Sequence, residues 1–583
     1  MQRSLSKLDS IFRIAAQADA SEAFEVGMLL ESLLRFREAL GWYQFAGRLG
    51  GQINPATLDQ RLRTITRWES KTTENERTAA RLEKLFGFPT ESSLSKAEKL
   101  TIVKSESEPE VVSTSKVRFR DVADECGIRT TFVSDYDLER VDFFLHQANG
   151  GGLGVIDYDK DGTPDLMVVQ SGGDPNVAES SMPNQLFRQV GPLRFTETSS
   201  DAACDGRGYG QGVAVCDVNQ DGWPDMIVAN IGRNQLLINR GDGTFEDATE
   251  TWLPKPLSGD HLKWTSSIGV GDLDGDSLPD LIEVNYVDDP EVFRKKCKGE
   301  VLDCVPQTFT AARDQFLKLK PEGGFSDQHR LTQSEVPANY GFGVVVADLS
   351  GDGRNEVFVT NDGDVNQYWR SGLGDESTSA PPLAEVAGVL GNAIGAFGLS
   401  EACMGLASGD FNRDGRCDLA VTNFYREPMN LFLQTSGGSF VDDAMRMGLD
   451  VPARQLLGFG CQASDIDNDG WLDLVVLNGH LYDFRQEGIP FRMPPQCFMG
   501  SERGFDLTSP ESSYFERQAL GRTLAVADFD GDGRMDFVAN HLDAPVAVLR
   551  NESDGGQWIE FELVGTRSCR DAVGARVRVK LKE

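Results

Sequence analysis

The sequence predicts a mainly β protein: a seven-bladed β-propeller, preceded by an α-helical segment and followed by part of a second, C-terminal β domain. Three observations lead there. An acidic ten-residue loop recurs seven times along 583 residues. Short β-type runs such as "GVAVC" and "DLVVLN" flank the loops. Successive loops start 55–76 residues apart, which leaves room for four short strands per repeat, the content of one propeller blade.

The loops read "DYDKDGTPDL" from Asp157, "DVNQDGWPDM" from Asp217, "DLDGDSLPDL" from Asp272 and "DLSGDGRNEV" from Asp348. They continue with "DFNRDGRCDL" from Asp410, "DIDNDGWLDL" from Asp465 and "DFDGDGRMDF" from Asp528. Positions one, three, five and nine carry oxygen-bearing side chains. These are Asp157, Asp159, Asp161 and Asp165 in loop one, and Asp217, Asn219, Asp221 and Asp225 in loop two. Loop three supplies Asp272, Asp274, Asp276 and Asp280; loop four supplies Asp348, Ser350, Asp352 and Glu356. Loop five has Asp410, Asn412, Asp414 and Asp418. Loop six has Asp465, Asp467, Asp469 and Asp473, and loop seven Asp528, Asp530, Asp532 and Asp536.

Carboxylates this crowded repel one another, so the pattern calls for a cation. A hard cation such as calcium takes six to eight oxygens at about 2.3–2.6 Å. Alternate side chains on a tight loop converge on one point, where the position-seven carbonyl can join them. Position six is glycine in six loops, which permits the positive φ of the turn. An EF-hand would need a glutamate at position twelve and flanking helices; here position nine closes the loop and the flanks are short β-type runs. The expectation is up to seven Ca2+ ions. Loop three, with Ser277 at position six, and loop four, with Ser350 and Glu356, are expected to bind most weakly.

The formal net charge of −34 argues against nucleic acid and against an anionic membrane surface. Seven calcium ions would bring it to about −20, so much of the acidity is ligand. No run of eighteen apolar residues is present, so no membrane insertion is expected. The start, "MQRSLSKLDSIFRIAAQADA", lacks the apolar core of a secretion signal.

Other elements recur with the loops. Glycine-rich lead-ins such as "GYGQGVAVCD" and "YGFGVVVAD" precede them, and runs such as "NQLFRQ" and "NQYWR" follow. Each outer strand begins near an aromatic, at Phe195, Phe245, Phe325, Phe440 and Phe505, with Leu383 in one copy. The same signature, "VRFRDVA", surrounds Phe119 ahead of loop one, while the seventh repeat has only three strands. Residues 117–122 are therefore expected to complete blade seven and remove its open edge. The longest repeat contains "CKGEVLDC", in which Cys297 and Cys304 fit either a disulfide or two free thiols; the bridge is the expectation. Cys216, Cys403, Cys417 and Cys461 read as small buried residues.

The loops and their flanks resemble the FG-GAP/VCBS repeats of integrin-type propellers over about residues 117–551. "QWIEFELVGTRSCRDAVGARVRV", following Asn551, looks like the start of an ASPIC/UnbV domain and places its beginning at 552–583, where the family's domain would continue. "NGHLYDF" and "CVPQTF" are similar to the same family, which includes the cartilage acidic protein group and bacterial secreted proteins. The resemblance implies a calcium-binding scaffold for extracellular or cell-surface adhesion to a protein or carbohydrate ligand. The implied location is extracellular, periplasmic or at the cell surface. Residues 1–100, with "EAFEVGMLLESLLRFREALGWYQFAGRL", have helical periodicity. They resemble a tetratricopeptide pair through Gly27, Ala39, Tyr43 and Ala46, although a plain helical hairpin fits equally. Residues 101–116 read as a linker.

No G-x-S-x-G, H-E-x-x-H or Walker motif occurs. "GRGYGQG" from Gly206 runs into a predicted strand rather than a phosphate-binding helix. His146 and His480 read as turn residues. Two rival functions stay open. A calcium-dependent polysaccharide lyase or hydrolase would need His, Tyr or Arg beside carboxylates at the channel mouth. A structural component would dock through the helical segment.

Overall fold

The computed structural model describes residues 117–577, apart from 137–141, 178–179, 256–261, 299–302, 328–330, 333–334 and 372–382. The predicted helical segment and linker lie outside the described residues.

Seven four-stranded antiparallel sheets form seven blades. Blade one comprises Leu153–Ile156, Asp165–Val168, Gln185–Gly191 and Arg194–Glu197, in that order. The later blades repeat this order, and their first strands are Tyr209–Cys216, Thr265–Gly271, Gly341–Ala347, Leu406–Gly409, Gly458–Ser464 and Gly521–Ala527. First strands of neighbouring blades lie side by side, blade seven beside blade one included, so they surround the ring's axis.

The glycine-rich lead-ins serve this close approach. A Cβ on Gly152 would sit 2.6 Å from the Gly212 Cα, and one on Gly405 1.8 Å from the Phe459 carbonyl oxygen. Each second strand starts with a carboxylate and is buried along its whole length, as in "DMIVANI" and "DLVVLN". Such strands are apolar on both faces because a neighbouring blade covers each face. Cys216, Ile227 and Ala229 of blade two, for example, share one core with Ile268, Leu281 and Leu317 of blade three.

The ring closes as the repeat pattern requires. Phe119–Asp121 pairs antiparallel with Ala547–Asn551 as the outer strand of blade seven. Phe119 is 3% exposed and packs against Phe515 and Phe537, with ring centroids 5.6 and 5.7 Å away. The six aromatics expected in the outer strands are buried, and so is Leu383, which takes their place in blade four.

The end of the ring away from the acidic loops is packed with aromatic side chains from several blades, among them Tyr209, Trp264, Tyr286, Tyr340, Phe459 and Tyr482. The long repeat contributes its insertion here. Cys297 and Cys304 form a disulfide with Cα atoms 5.5 Å apart, and Cys297–Lys298 pairs with Asp142–Phe143 from the segment before blade one. His146 and His480 are buried in this region, which pushes both imidazoles down to about 4. His480 Nδ1 accepts from the Tyr482 N–H, as a turn residue does.

The C-terminal expectation needs correction. Residues 552–577 contain no strand. "WIEFELVG" has the residue types of a strand, yet no partner strand stands beside it among the described residues. Trp558, Ile559, Phe561, Leu563 and Val564 are exposed. The segment instead runs over the acidic loops. The Gly556 N–H donates to the Asp467 carbonyl at 2.9 Å, and Ser277 Oγ donates to the Arg567 carbonyl at 2.9 Å. No described helix is long and apolar enough to cross a membrane.

Truncating the closing aromatic tests this architecture. Phe119→Ala is expected to cost about 3–5 kcal/mol, read as a lower urea midpoint, because it leaves a cavity at the joint that closes the ring. A change below about 1 kcal/mol would contradict the closure.

Candidate metal centres

Each loop joins the first and second strands of its blade, and each of its four positions has a distinct job. The carboxylate at position one organises the turn. Its Oδ2 accepts from the N–H of position six in all seven loops, at 2.7–3.1 Å. Position five fixes the exit: its Oδ1 accepts from the N–H of position seven at 2.8–3.1 Å, again in all seven. These bonds require left-handed backbone at position six, where Gly162 has φ +84° and Ser277 adopts φ +71° without being glycine. Position four is left-handed too, as at Lys160, Gln220, Arg413 and Asn468, a requirement that the glycine pattern did not reveal.

Position nine is the first residue of each second strand. In six loops it is an aspartate that accepts twice from the backbone. One oxygen takes the N–H of position two at 2.8–3.2 Å. The other takes an N–H of the third strand at 2.7–3.1 Å. The carboxylate thus ties the loop to two strands. Loop four departs: the longer Glu356 turns back to the Ser350 N–H and Oγ at 2.9 and 2.7 Å.

Position three is left incomplete. Oδ1 of Asp159, Asp274, Asp467 and Asp530 is buried and meets no hydrogen-bond donor. A bare carboxylate oxygen held away from water is costly unless a cation completes it. In loops two and five an amide replaces this carboxylate, and Oδ1 of Asn219 and Asn412 accepts from the N–H of position five at 2.9 and 3.0 Å.

Five loops bring three carboxylates within 4.8 Å of one another: Asp157, Asp159 and Asp165; Asp272, Asp274 and Asp276; Asp348, Asp352 and Glu356; Asp465, Asp467 and Asp473; and Asp528, Asp530 and Asp536. Asp161, Asp280, Asp469 and Asp532 stand outside these groups, as does Ser350, whose hydroxyl donates to Glu356. Loops two and five form no such three-carboxylate group among the described residues. Their remaining expected ligands, Asp217, Asp221, Asp225, Asp410, Asp414 and Asp418, occupy the same loop positions as their counterparts. The groups that converge have the donor chemistry of a hard divalent cation site: several oxygens, a buried oxygen without a proton donor, and no nitrogen or sulfur.

Burial governs the electrostatics. Desolvation pushes Asp165, Asp225, Asp280, Asp418 and Glu356 up to about 7 despite their hydrogen bonds. Asp473 and Asp536 rise to about 8 for the same reason.

A model of the FG-GAP-like repeat matches residues 157–228, 217–282, 348–421 and 410–476. Each match begins at position one of a loop and runs through the next loop. Cartilage acidic protein 1 of Mus musculus is 25% identical over 463 residues, covering 74% of this chain and 64% of that protein. The Homo sapiens protein is 23% identical over 462 residues, again 74% of this chain and 62% of its own length. The chain thus spans less than two thirds of these relatives. Integrin alpha-IIb of Mus musculus is 30% identical over 167 residues, 25% of this chain and 16% of that protein.

The raised carboxylates give a pH dependence of known sign. Native aspartates that hold their protons up to about 7–8, against about 4 when unfolded, favour the folded state most at low pH. That contribution is lost as pH rises through 7–8, at a slope of about 1.4 kcal/mol per pH unit for each fully shifted group. Asp314, Asp362 and Glu401, buried elsewhere, act in the same direction. In chelator, the melting temperature is expected to fall between pH 5 and pH 8. A rise over that range would contradict the assignment.

Proposed function

From a propeller of FG-GAP-like repeats, homologous to cartilage acidic protein 1 and to integrin alpha, we propose a calcium-stabilised extracellular scaffold that binds a protein or carbohydrate ligand. The observation that carries the reading is the buried, donor-free oxygen of Asp159, Asp274, Asp467 and Asp530, in loops whose carboxylates converge. Calcium would supply the missing positive charge and draw the four side-chain positions together. Binding it would lock the loop to the second and third strands, because in six blades position nine already bonds to both the loop and the third strand. Up to seven ions are the full complement, with loops two and five using an amide oxygen at position three.

An extracellular location is consistent with the Cys297–Cys304 disulfide, since such bonds persist in oxidising compartments. It is also where millimolar calcium saturates modest sites. Binding is favoured over catalysis because the titratable groups at the end opposite the loops are packed rather than presented. His146 meets Tyr209 edge-on and packs at a tilt against Phe293, and Arg522 lies buried over the Phe459 ring at 4.0 Å. A ligand would engage the ring's outer surface and loops.

Calorimetric titration of the chelated protein tests the reading. With free calcium tenfold above Kd, each site contributes about 1.4 kcal/mol, and seven together about 10 kcal/mol. A melting temperature that rises by many degrees on calcium addition and reverses with chelator is expected. No heat of binding and an unchanged melting temperature would contradict it.

A further inference from the structure

The third strand of every blade passes its own loop at one fixed register. The residue in question follows the partner of the second strand's second residue, and it is Arg188, Ile238, Lys318, Arg370, Leu433, Met499 and Arg550 in blades one to seven. Four of these are basic and reach back to the loop. Arg188 pairs with Asp159 Oδ2 at 2.5 Å and Asp161 Oδ2 at 3.5 Å. Lys318 pairs with Asp274 and Asp276. Arg370 pairs with Asp352 at 3.3 Å and Glu356 at 3.7 Å, and Arg550 with Asp530 Oδ2 at 2.8 Å. Each of these ion pairs at position three uses Oδ2. Oδ1 of Asp159, Asp274 and Asp530 stays buried without a donor.

The three apolar cases divide again. Ile238 and Leu433 face loops whose position three is Asn219 and Asn412, which lack that charge. Met499 faces loop six, which keeps all four carboxylates. Among the described residues, loop six is the one loop with no ion pair to any of its four. Loop two receives Arg570, loop four also Arg576, and loops five and seven Arg416 and Arg534 from their own position seven.

We propose that this third-strand residue sets how far each loop depends on a divalent cation, and that loop six, opposite Met499, is the tightest calcium site and the one least able to stand without metal. The proposal rests on the calcium reading above. A guanidinium or ammonium on the outer oxygens partly neutralises an empty loop and repels an arriving ion. Loops one, three, four and seven therefore hold their shape without metal and bind it more weakly. Loop six has no such ion pair among the described residues, so it leans most on the ion.

The test exchanges the two kinds of residue in the full chain. Met499→Arg is expected to raise the melting temperature in chelator and to weaken the tightest calcium site about tenfold or more, by calorimetry against a competing chelator. Arg188→Met is expected to do the reverse, lowering the chelated melting temperature and strengthening one weak site by a similar factor. Met499→Leu and Arg188→Lys are expected to behave as wild type. If Met499→Arg does not fold, Arg188→Met carries the test. Calcium binding with the tightest site and the chelated melting temperature unmoved by either exchange would overturn the proposal alone. An absence of calcium binding in the wild type would overturn the calcium reading and the proposal with it.

Discussion

The first residue of every second strand is an acid buried between blades, and the arrangement of the rest follows from accommodating it. Its two oxygens accept N–H groups from the loop and, in six blades, from the third strand, so one side chain joins three parts of the blade. Hydrogen bonds of that kind lower a carboxylate's proton affinity, yet burial still pushes Asp473 up to about 8. The anion therefore needs positive charge nearby. The chain meets the need in two ways, with convergent oxygens suited to a divalent cation and with basic side chains borrowed from the third strand, position seven or residues 570 and 576.

Much of this was legible in the sequence because the loop is local. Ten consecutive residues contain its geometry, so seven copies and the glycine at position six could be read directly. Phe119 was legible for a related reason, since it repeats an outer-strand signature at the wrong end of the chain. What escaped detection depends on register between strands. Arg188, Ile238 and Met499 lie in runs that look alike as text, and only the pairing of the third strand with the second aligns them with their loops. The left-handed backbone at position four escaped because glycine fills it in only three loops, as Gly275, Gly351 and Gly531, while Lys160, Gln220, Arg413 and Asn468 share no residue type. "WIEFELVG" misled because its residue types promise a strand while strand formation needs a partner.

The two ends of the ring are chemically opposite. One carries the loops, with their excess of carboxylates, and is crossed by residues 552–577, whose Arg570 and Arg576 approach Asp217 and Asp348. The other is closed by aromatic packing and the disulfide-bonded insertion. A cation can thus act on one end through charge while the other is held by burial, and the second strands, buried throughout, transmit both constraints along each blade.

The buried oxygen of Asp467 is the most direct place to test the account. A crystal structure of the protein grown with calcium, with anomalous data collected, should show a peak about 2.3–2.6 Å from Asp467 Oδ1, shared with Asp465 and Asp473. A hydrogen-bonded water or N–H at that oxygen, with no anomalous peak in the loop, would contradict it.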